Sequence, residues 1–272
     1  MAVSSAADIY LVGLGMFEMR HVTVETLEVL RHAKRVLHLT TEHDELCRIN
    51  RNTENLSSFY WRLGRKVDIY DHLAGYVVSF AKKERPTVLA LDGNPMFFSD
   101  ISWKIAALGK LEGLTVEALP AVSSIDVLPI QLGFEPGDLG LQIFEATQLV
   151  LYQLSVNPHL STLILQVGEF GERTLVRPAK RRLAAFVPLV AHLRKFFPDE
   201  HPAIFIRSAY SSQVPTVVFT TEIGLIDECS EQITSGMTLY LPRIGIPSVE
   251  QGICEQLGVP ELAKELRWSK RF

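Results

Sequence analysis

The sequence predicts an α/β protein built from two domains. Strand-like and helix-like segments alternate along nearly the whole chain, which favours parallel strands covered by helices. One turn-rich stretch, GFEPGDLG at 133–140, interrupts that alternation midway and reads as a linker. The length, 272 residues, suits two modest domains or one large one. The expected division is an N-terminal α/β domain over 1–133, a C-terminal α/β domain over 140–245, and an extension over 246–272 with no assigned role.

The elements follow in order. DIYLVGLG (Asp8–Gly15) is a strand running into a glycine turn. In TVETLEVLRHAKRV the apolar residues Val24, Leu27, Leu30 and Ala33 recur at helical spacing behind a threonine cap. RVLHL is a second strand. Over 67–84, Ile69, Leu73, Val77 and Phe80 share one helical face. A buried strand beginning at Val88 follows, then a helix near Ser102–Leu111, the strand LTVEAL and a helix near Ser123–Leu132. Past the linker come LQIFEA, the strand STLILQV, a basic helix around Ala179–Phe197, and AIFIR. PTVVFTT and MTLYLPR then read as strands close enough together to pair antiparallel.

Composition narrows the function. The apolar share is 47% and the charged share 21%, ordinary for a folded domain. A formal net charge of −4 offers no electrostatic footprint for nucleic acid or an anionic membrane. No apolar run is long enough to span a bilayer, and MAVSSAAD lacks the features of a signal peptide. Cys47, Cys229 and Cys254 are odd in number and widely spaced, as in a reduced, cytoplasmic protein without a disulfide framework. The histidines form no HExxH or HxxxH pair, so no metal is expected.

Three strand-to-helix junctions carry turn-forming residues: Gly13-Leu14-Gly15, Asp92-Gly93-Asn94-Pro95 and Pro120-Ala121. The first lacks the third glycine of a dinucleotide fingerprint, because Glu18 stands there. The second strand ends Leu37-His38-Leu39-Thr40, without an acid to hold a ribose, so a nicotinamide enzyme is disfavoured. Ser123 and Ser124 would serve equally as caps of the next helix. Ligands of open α/β sheets bind outside the carboxyl ends of strands. On pattern alone, the three junctions form a crevice for something small and polar.

The succession IYLVGLGM, TVETLEVLRHAKRVLHL, ALDGNPMFFS, EGLTVEALPAVSSID and LGFEPGDLGLQIFEATQL resembles the tetrapyrrole methylase family, the class III S-adenosylmethionine (SAM)-dependent methyltransferases. Within it the chain looks most like stand-alone (split) borosin peptide backbone α-N-methyltransferases. The resemblance runs from Asp8 to about Pro242. It implies two α/β domains of the tetrapyrrole methylase fold, SAM in the cleft between them, a homodimer, and a separate ribosomal precursor peptide as acceptor. It places the cofactor-binding residues at Gly93, Asn94, Pro95 and Phe98, at Ser123 and Ser124, at Gln166 and Val167, and at Leu239 and Tyr240. Asn94 and Met96 stand where borosin enzymes carry His and Gly.

The same resemblance implies a catalytic segment in SSFYWRLGRKVDIYDHL. Tyr60 matches the family's first tyrosine, and Asp68 and Tyr70 match its D-x-Y. The paired arginines fall on Lys66, with Arg65 one place earlier, and on Val67. Lys66 and Tyr70 are i and i+4, hence on one helical face. An amide nitrogen is a poor nucleophile because its lone pair is delocalised into the carbonyl. Its methylation needs loss of the N–H proton and support for the oxyanion. A tyrosine could take the proton, and Arg65 or Lys66 would lower its pKa and hold the oxyanion. The same residues would also suit an apolar cluster of Phe59, Tyr60 and Trp61 beside a solvated helix start.

EATQLVLYQLSVNP (Glu145–Pro158) matches the borosin E-A-S/T segment, and either borders a substrate channel or packs the dimer. The basic run RPAKRRL (Arg177–Leu183) reads as a solvated face that an acidic leader peptide could dock against. The tail ELRWSKRF does not look like a methylated core peptide, so self-methylation is not expected. The favoured reaction is SAM-dependent N-methylation of peptide backbone amides. The alternatives are methyl transfer to a tetrapyrrole or another small molecule, and a catalytically silent SAM-binding or scaffold protein.

Overall fold

The computed structural model describes residues 7–62, 64–175 and 184–258. The basic run Arg177–Leu183 and the final ELRWSKRF therefore lie outside the described residues. The chain divides into two compact units. One is Met1–Val127 with Glu172–Pro178 and Ser208–Pro215; the other is Leu128–Gly171 with Ala179–Arg207 and Thr216–Phe272.

The first unit is a parallel sheet of β1 (Ile9–Gly13), β2 (Arg35–His38), β3 (Thr53–Asn55), β4 (Thr87–Leu91) and β5 (Val116–Ala118), in the order β3-β2-β4-β1-β5. Every residue of β1 and β4 is buried, as expected of central strands covered on both faces. Its helices are α1 (Val24–His32), α2 (His43–Ile49), α3 (Ser57–Tyr60), α4 (Lys66–Ala81) and α5 (Asp100–Leu111); α6 (Ser124–Leu132) begins in this unit. The expected threonine cap is present: Thr23 Oγ1 accepts from the Thr26 N–H at 3.1 Å. A cap of this kind contributes about 1 kcal/mol. α4 buries Ile69, Leu73 and Val77 against Leu37, Leu89 and Ile105. Each such side chain contributes roughly 1.5–3 kcal/mol when fully buried.

The second unit holds β6 (Leu141–Glu145), β7 (Ser161–Leu165), β8 (Pro202–Arg207), β9 (Val217–Glu222) and β10 (Thr238–Leu241), in the order β6-β7-β10-β8-β9. α7 (Ala146–Leu151), α8 (Val187–Leu193) and α9 (Gln251–Leu257) accompany them. This sheet is mixed. β6 and β7 are parallel, whereas β10 runs antiparallel to both β7 and β8, and β9 antiparallel to β8. The strands of PTVVFTT and MTLYLPR, read as an antiparallel pair, do not pair with each other, because β8 lies between them. Burial accounts for the placement: β10 is buried throughout and suits the centre, while β9 alternates half-buried and exposed positions and suits an edge.

Candidate functional site

In the first unit the turns after β1, β4 and β5 meet. Leu14 N donates to Leu91 O at 2.9 Å, and Gly93 N donates to Gly15 O at 2.8 Å. A Cβ at Gly13 would collide with the Gly93 carbonyl oxygen, 2.6 Å from Ala121 Cβ and 3.0 Å from Pro95 Cδ. The three junctions singled out in the sequence are therefore in van der Waals contact. Gly93 itself has φ +69°, a conformation that glycine adopts without a Cβ penalty.

Asn94 ties this meeting point together. Its Oδ1 accepts from Met96 N at 2.9 Å, and its Nδ2 donates to Ala121 O at 3.2 Å. Both ends of the amide hold backbone, a double duty that two neighbouring turns place on one side chain. Pro95 is buried and Met96 packs on the core beneath. The loop is also pinned from α5, where Trp103 Nε1 donates to Met96 O at 3.1 Å. Phe98 has φ +52° and presents its ring to solvent, 41% exposed and edge-on to Phe97. A phenylalanine held in the left-handed region is a costly conformation, of a kind that clusters at ligand sites. Ser123 is buried; its N–H and Oγ both donate to Asp126 Oδ2, at 2.7 and 3.0 Å, while Ser124 begins α6.

Asp92, to which the sequence patterns assign no role, follows the last residue of β4. Asp92 is exposed by accessible surface, while protein atoms crowd around its carboxyl. That desolvation, with the Glu42 charge adding to it, pushes its pKa up to about 6. A carboxyl whose pKa is raised at a strand end is a candidate ligand-facing group. The signal was its place at the end of a fully buried strand, where a polar side chain has no packing role.

The segment expected to be catalytic lies within the same unit. Tyr60 ends α3 and Tyr70 lies in the second turn of α4; their hydroxyl oxygens are 3.5 Å apart and their rings 6.0 Å apart. Trp61, 59% exposed, stands edge-on to Tyr60. Burial pushes the Tyr70 phenol well above the usual tyrosine range, and the Tyr60 hydroxyl and the Asp100 carboxylate push it further. This corrects the expectation that a neighbouring cation lowers that pKa. Arg65 precedes α4 as its cap and turns its guanidinium onto Asp68, with bonds of 2.9 and 2.8 Å in solvent. Lys66 opens the helix, and its backbone N–H donates to Arg173 O at 3.0 Å. A protonated, half-buried phenol donates hydrogen bonds, which suits support of a developing oxyanion better than removal of a proton.

In the second unit, Gln166 follows β7 with φ +54° and an exposed side chain, a second non-glycine residue held left-handed at a strand end. The Val167 and Leu239 side chains lie in the core cluster, so only their backbones could face a ligand. Tyr240 stacks on Phe134 at 4.7 Å between centroids, and its hydroxyl lies 3.4 Å from Ser161 Oγ. Glu145 caps α7 by accepting from Gln148 N at 2.7 Å, a structural use of the E-A-T segment. Among the described residues, no group of three His, Cys, Asp or Glu side chains could hold a metal ion, and no helix is long and apolar enough to cross a membrane.

The sequence profile of the tetrapyrrole (corrin/porphyrin) methylases matches residues 8–222. A methyltransferase/ribosomally synthesized type I borosin cyclic peptide precursor of Mycena rosella is 26% identical over 266 residues, which is 96% of this chain and 66% of that protein. A type I borosin counterpart from Cerrena unicolor is 25% identical, covering 94% of this chain and 64% of its own length. A type II counterpart from Phlebiopsis gigantea is 26% identical over 89% of this chain and 44% of its own length. The chain thus spans just under two thirds, or less, of the length of these relatives. Among solved structures, the uroporphyrin-III C-methyltransferase of Thermus thermophilus superposes with a TM-score of 0.60 at 18% identity, covering 95% of both chains, a likeness of fold. With a matching profile over most of its length, this chain belongs to the tetrapyrrole (corrin/porphyrin) methylase family.

Proposed function

We propose that this protein is a SAM-dependent methyltransferase whose acceptor is the backbone amide nitrogen of a precursor peptide. The observation that carries the reading is the Tyr60–Tyr70 hydroxyl pair at the start of α4. Support comes from the borosin relatives, whose names join a methyltransferase to a cyclic peptide precursor. The meeting of the three turns supports a cofactor site, with Phe98 as a stacking surface and Gly93, Asn94, Pro95, Ser123 and Ser124 beside it. The resemblance adds Gln166, Val167, Leu239 and Tyr240 to the cofactor residues of this reading.

When bound, SAM supplies an electrophilic methyl group on a sulfonium. The residues of this chain must then raise the nucleophilicity of the amide. Tyr70, kept protonated by burial, donates to the amide oxygen and stabilises the imidate-like charge that grows there. Tyr60 orients that phenol from 3.5 Å. Lys66, on the Tyr70 face of α4, adds positive potential, and Arg65 positions the helix start through Asp68. The amide proton passes to water before transfer, giving the imidate that Tyr70 supports, and its nitrogen then takes the methyl. A homodimer in a reducing, cytoplasmic setting completes the reading; three free cysteines and the exposed Leu151 and Tyr152 on one surface support it.

A direct comparison of acceptors tests this. The protein is first titrated with S-adenosylhomocysteine by calorimetry. It is then incubated with methyl-labelled SAM and either a leader-plus-apolar-core peptide or uroporphyrinogen. Label in the peptide supports the reading. Label in the tetrapyrrole alone assigns the other acceptor, and absence of cofactor binding overturns the reading altogether.

A further inference from the structure

We infer that Arg207, at the end of β8, is a carboxylate-binding residue. Its side chain continues the row of Ala203 and Phe205, which are buried in the second core, so a guanidinium closes an apolar face. Its Nε is buried without a hydrogen-bond partner, and its Nη1 reaches only Thr234 Oγ1, at 3.4 Å. The aliphatic stem is packed: a Cβ at Gly236 would lie 3.9 Å from Arg207 Cγ. Among the described residues no carboxylate forms an ion pair with it. A guanidinium stays protonated in proteins, and burying one of its donors without a partner is unfavourable. Such an arrangement persists where a ligand completes it.

The sheet says where that ligand lies. β7 and β8 both run antiparallel to β10, which separates them, so their carboxyl ends share one edge of the sheet. Arg207 therefore stands at the edge where Gln166 makes its left-handed turn, two strand spacings or roughly 10 Å away. The planar fork of an arginine matches a carboxylate. Two sources offer one: the amino-acid end of the cofactor, or an acidic side chain of the peptide. The first rests on the proposed methyltransferase reading; the second does not need it.

The test is Arg207→Met, which keeps the apolar stem and removes the charge. Without ligand, the variant should melt at the same temperature as the parent or higher, because an unpaired buried donor is gone. With S-adenosylhomocysteine, affinity should fall about tenfold or more, while 5′-methylthioadenosine, which lacks the carboxylate, binds both proteins alike. If S-adenosylhomocysteine is unaffected but a fluorescent tetraglutamate peptide loses about tenfold in affinity, the peptide is the source. Equal losses for the two nucleosides, a lowered melting temperature with unchanged affinities, or no change in any affinity would overturn the inference. Failure of the parent to bind S-adenosylhomocysteine would count against the methyltransferase reading alone, since the tetraglutamate arm still decides the role of Arg207.

Discussion

The hydroxyls of Tyr60 and Tyr70 stand 3.5 Å apart, at the end of one helix and the second turn of the next, and burial holds the Tyr70 phenol protonated. The pair offers a donor where an amide oxygen would gather charge. Tyr70→Phe should therefore lower turnover by roughly 100-fold, the scale of losing one oxyanion donor. Affinity for S-adenosylhomocysteine, measured by calorimetry, should stay within about twofold of the parent, since the proposed cofactor residues lie elsewhere. Turnover that survives in the variant would remove Tyr70 from the chemistry.

The raised phenol also makes a pH prediction. The folded state holds the Tyr70 proton more tightly than the unfolded chain, whose value is 10.0. The associated stability is fully present below that value and is lost as pH rises above it. Ultraviolet titration should show one tyrosine ionising last, and Tyr70→Phe should remove that step.

Asp92 behaves in the same sense at lower pH. Its folded value of about 6 exceeds the ordinary 3.8. Its contribution is thus fully present below 3.8 and lost as pH rises through about 6. Asp92→Asn should raise the denaturation midpoint above that range and leave it unchanged at pH values below 3.8. A midpoint raised equally at all pH values would show that the carboxyl is not the titrating group.

Asn94 holds two turns with one amide. Asn94→Ala removes bonds to Met96 N and Ala121 O and should cost about 1–2 kcal/mol in chemical denaturation, at about 1 kcal/mol per bond. It should also weaken S-adenosylhomocysteine binding several-fold, because the loop bearing Phe98 loses its tether.

Gly13→Ala should be more damaging than its one added carbon suggests. The new methyl would meet the Gly93 carbonyl and Ala121 Cβ, and backbone cannot move away as a flexible side chain can. A loss of about 1–3 kcal/mol is expected, with cofactor affinity falling alongside stability. Unchanged stability would mean that the turns are not packed as described.

Much of the first unit was legible because its signals are local. The continuous apolar runs of β1 and β4, the spacing of Ile69, Leu73 and Val77, and the Thr23 cap each state their structure within a few residues. The short α2, β3 and α3 carry no legible signal, since three to seven residues give too little periodicity. The order of the second sheet was not legible either. Inserting β10 between β7 and β8 is a long-range choice that no local pattern encodes. In the candidate site, Tyr60 and Tyr70 could be named from the sequence, but not the 3.5 Å between them or the direction of the phenol's pKa, which depends on burial. Arg207 escaped notice because an arginine after AIFI reads as an ordinary strand end; only its unpartnered Nε distinguishes it.

The central claim is methyl transfer to a backbone amide nitrogen, and tandem mass spectrometry tests it most directly. The protein is incubated with SAM and a leader-plus-apolar-core peptide, and the peptide is then fragmented. The account predicts methyl increments that fragmentation assigns to backbone nitrogens in the core, formed roughly 100-fold more slowly with Tyr70→Phe. An unmodified peptide, in the presence of a protein that binds S-adenosylhomocysteine, would contradict it.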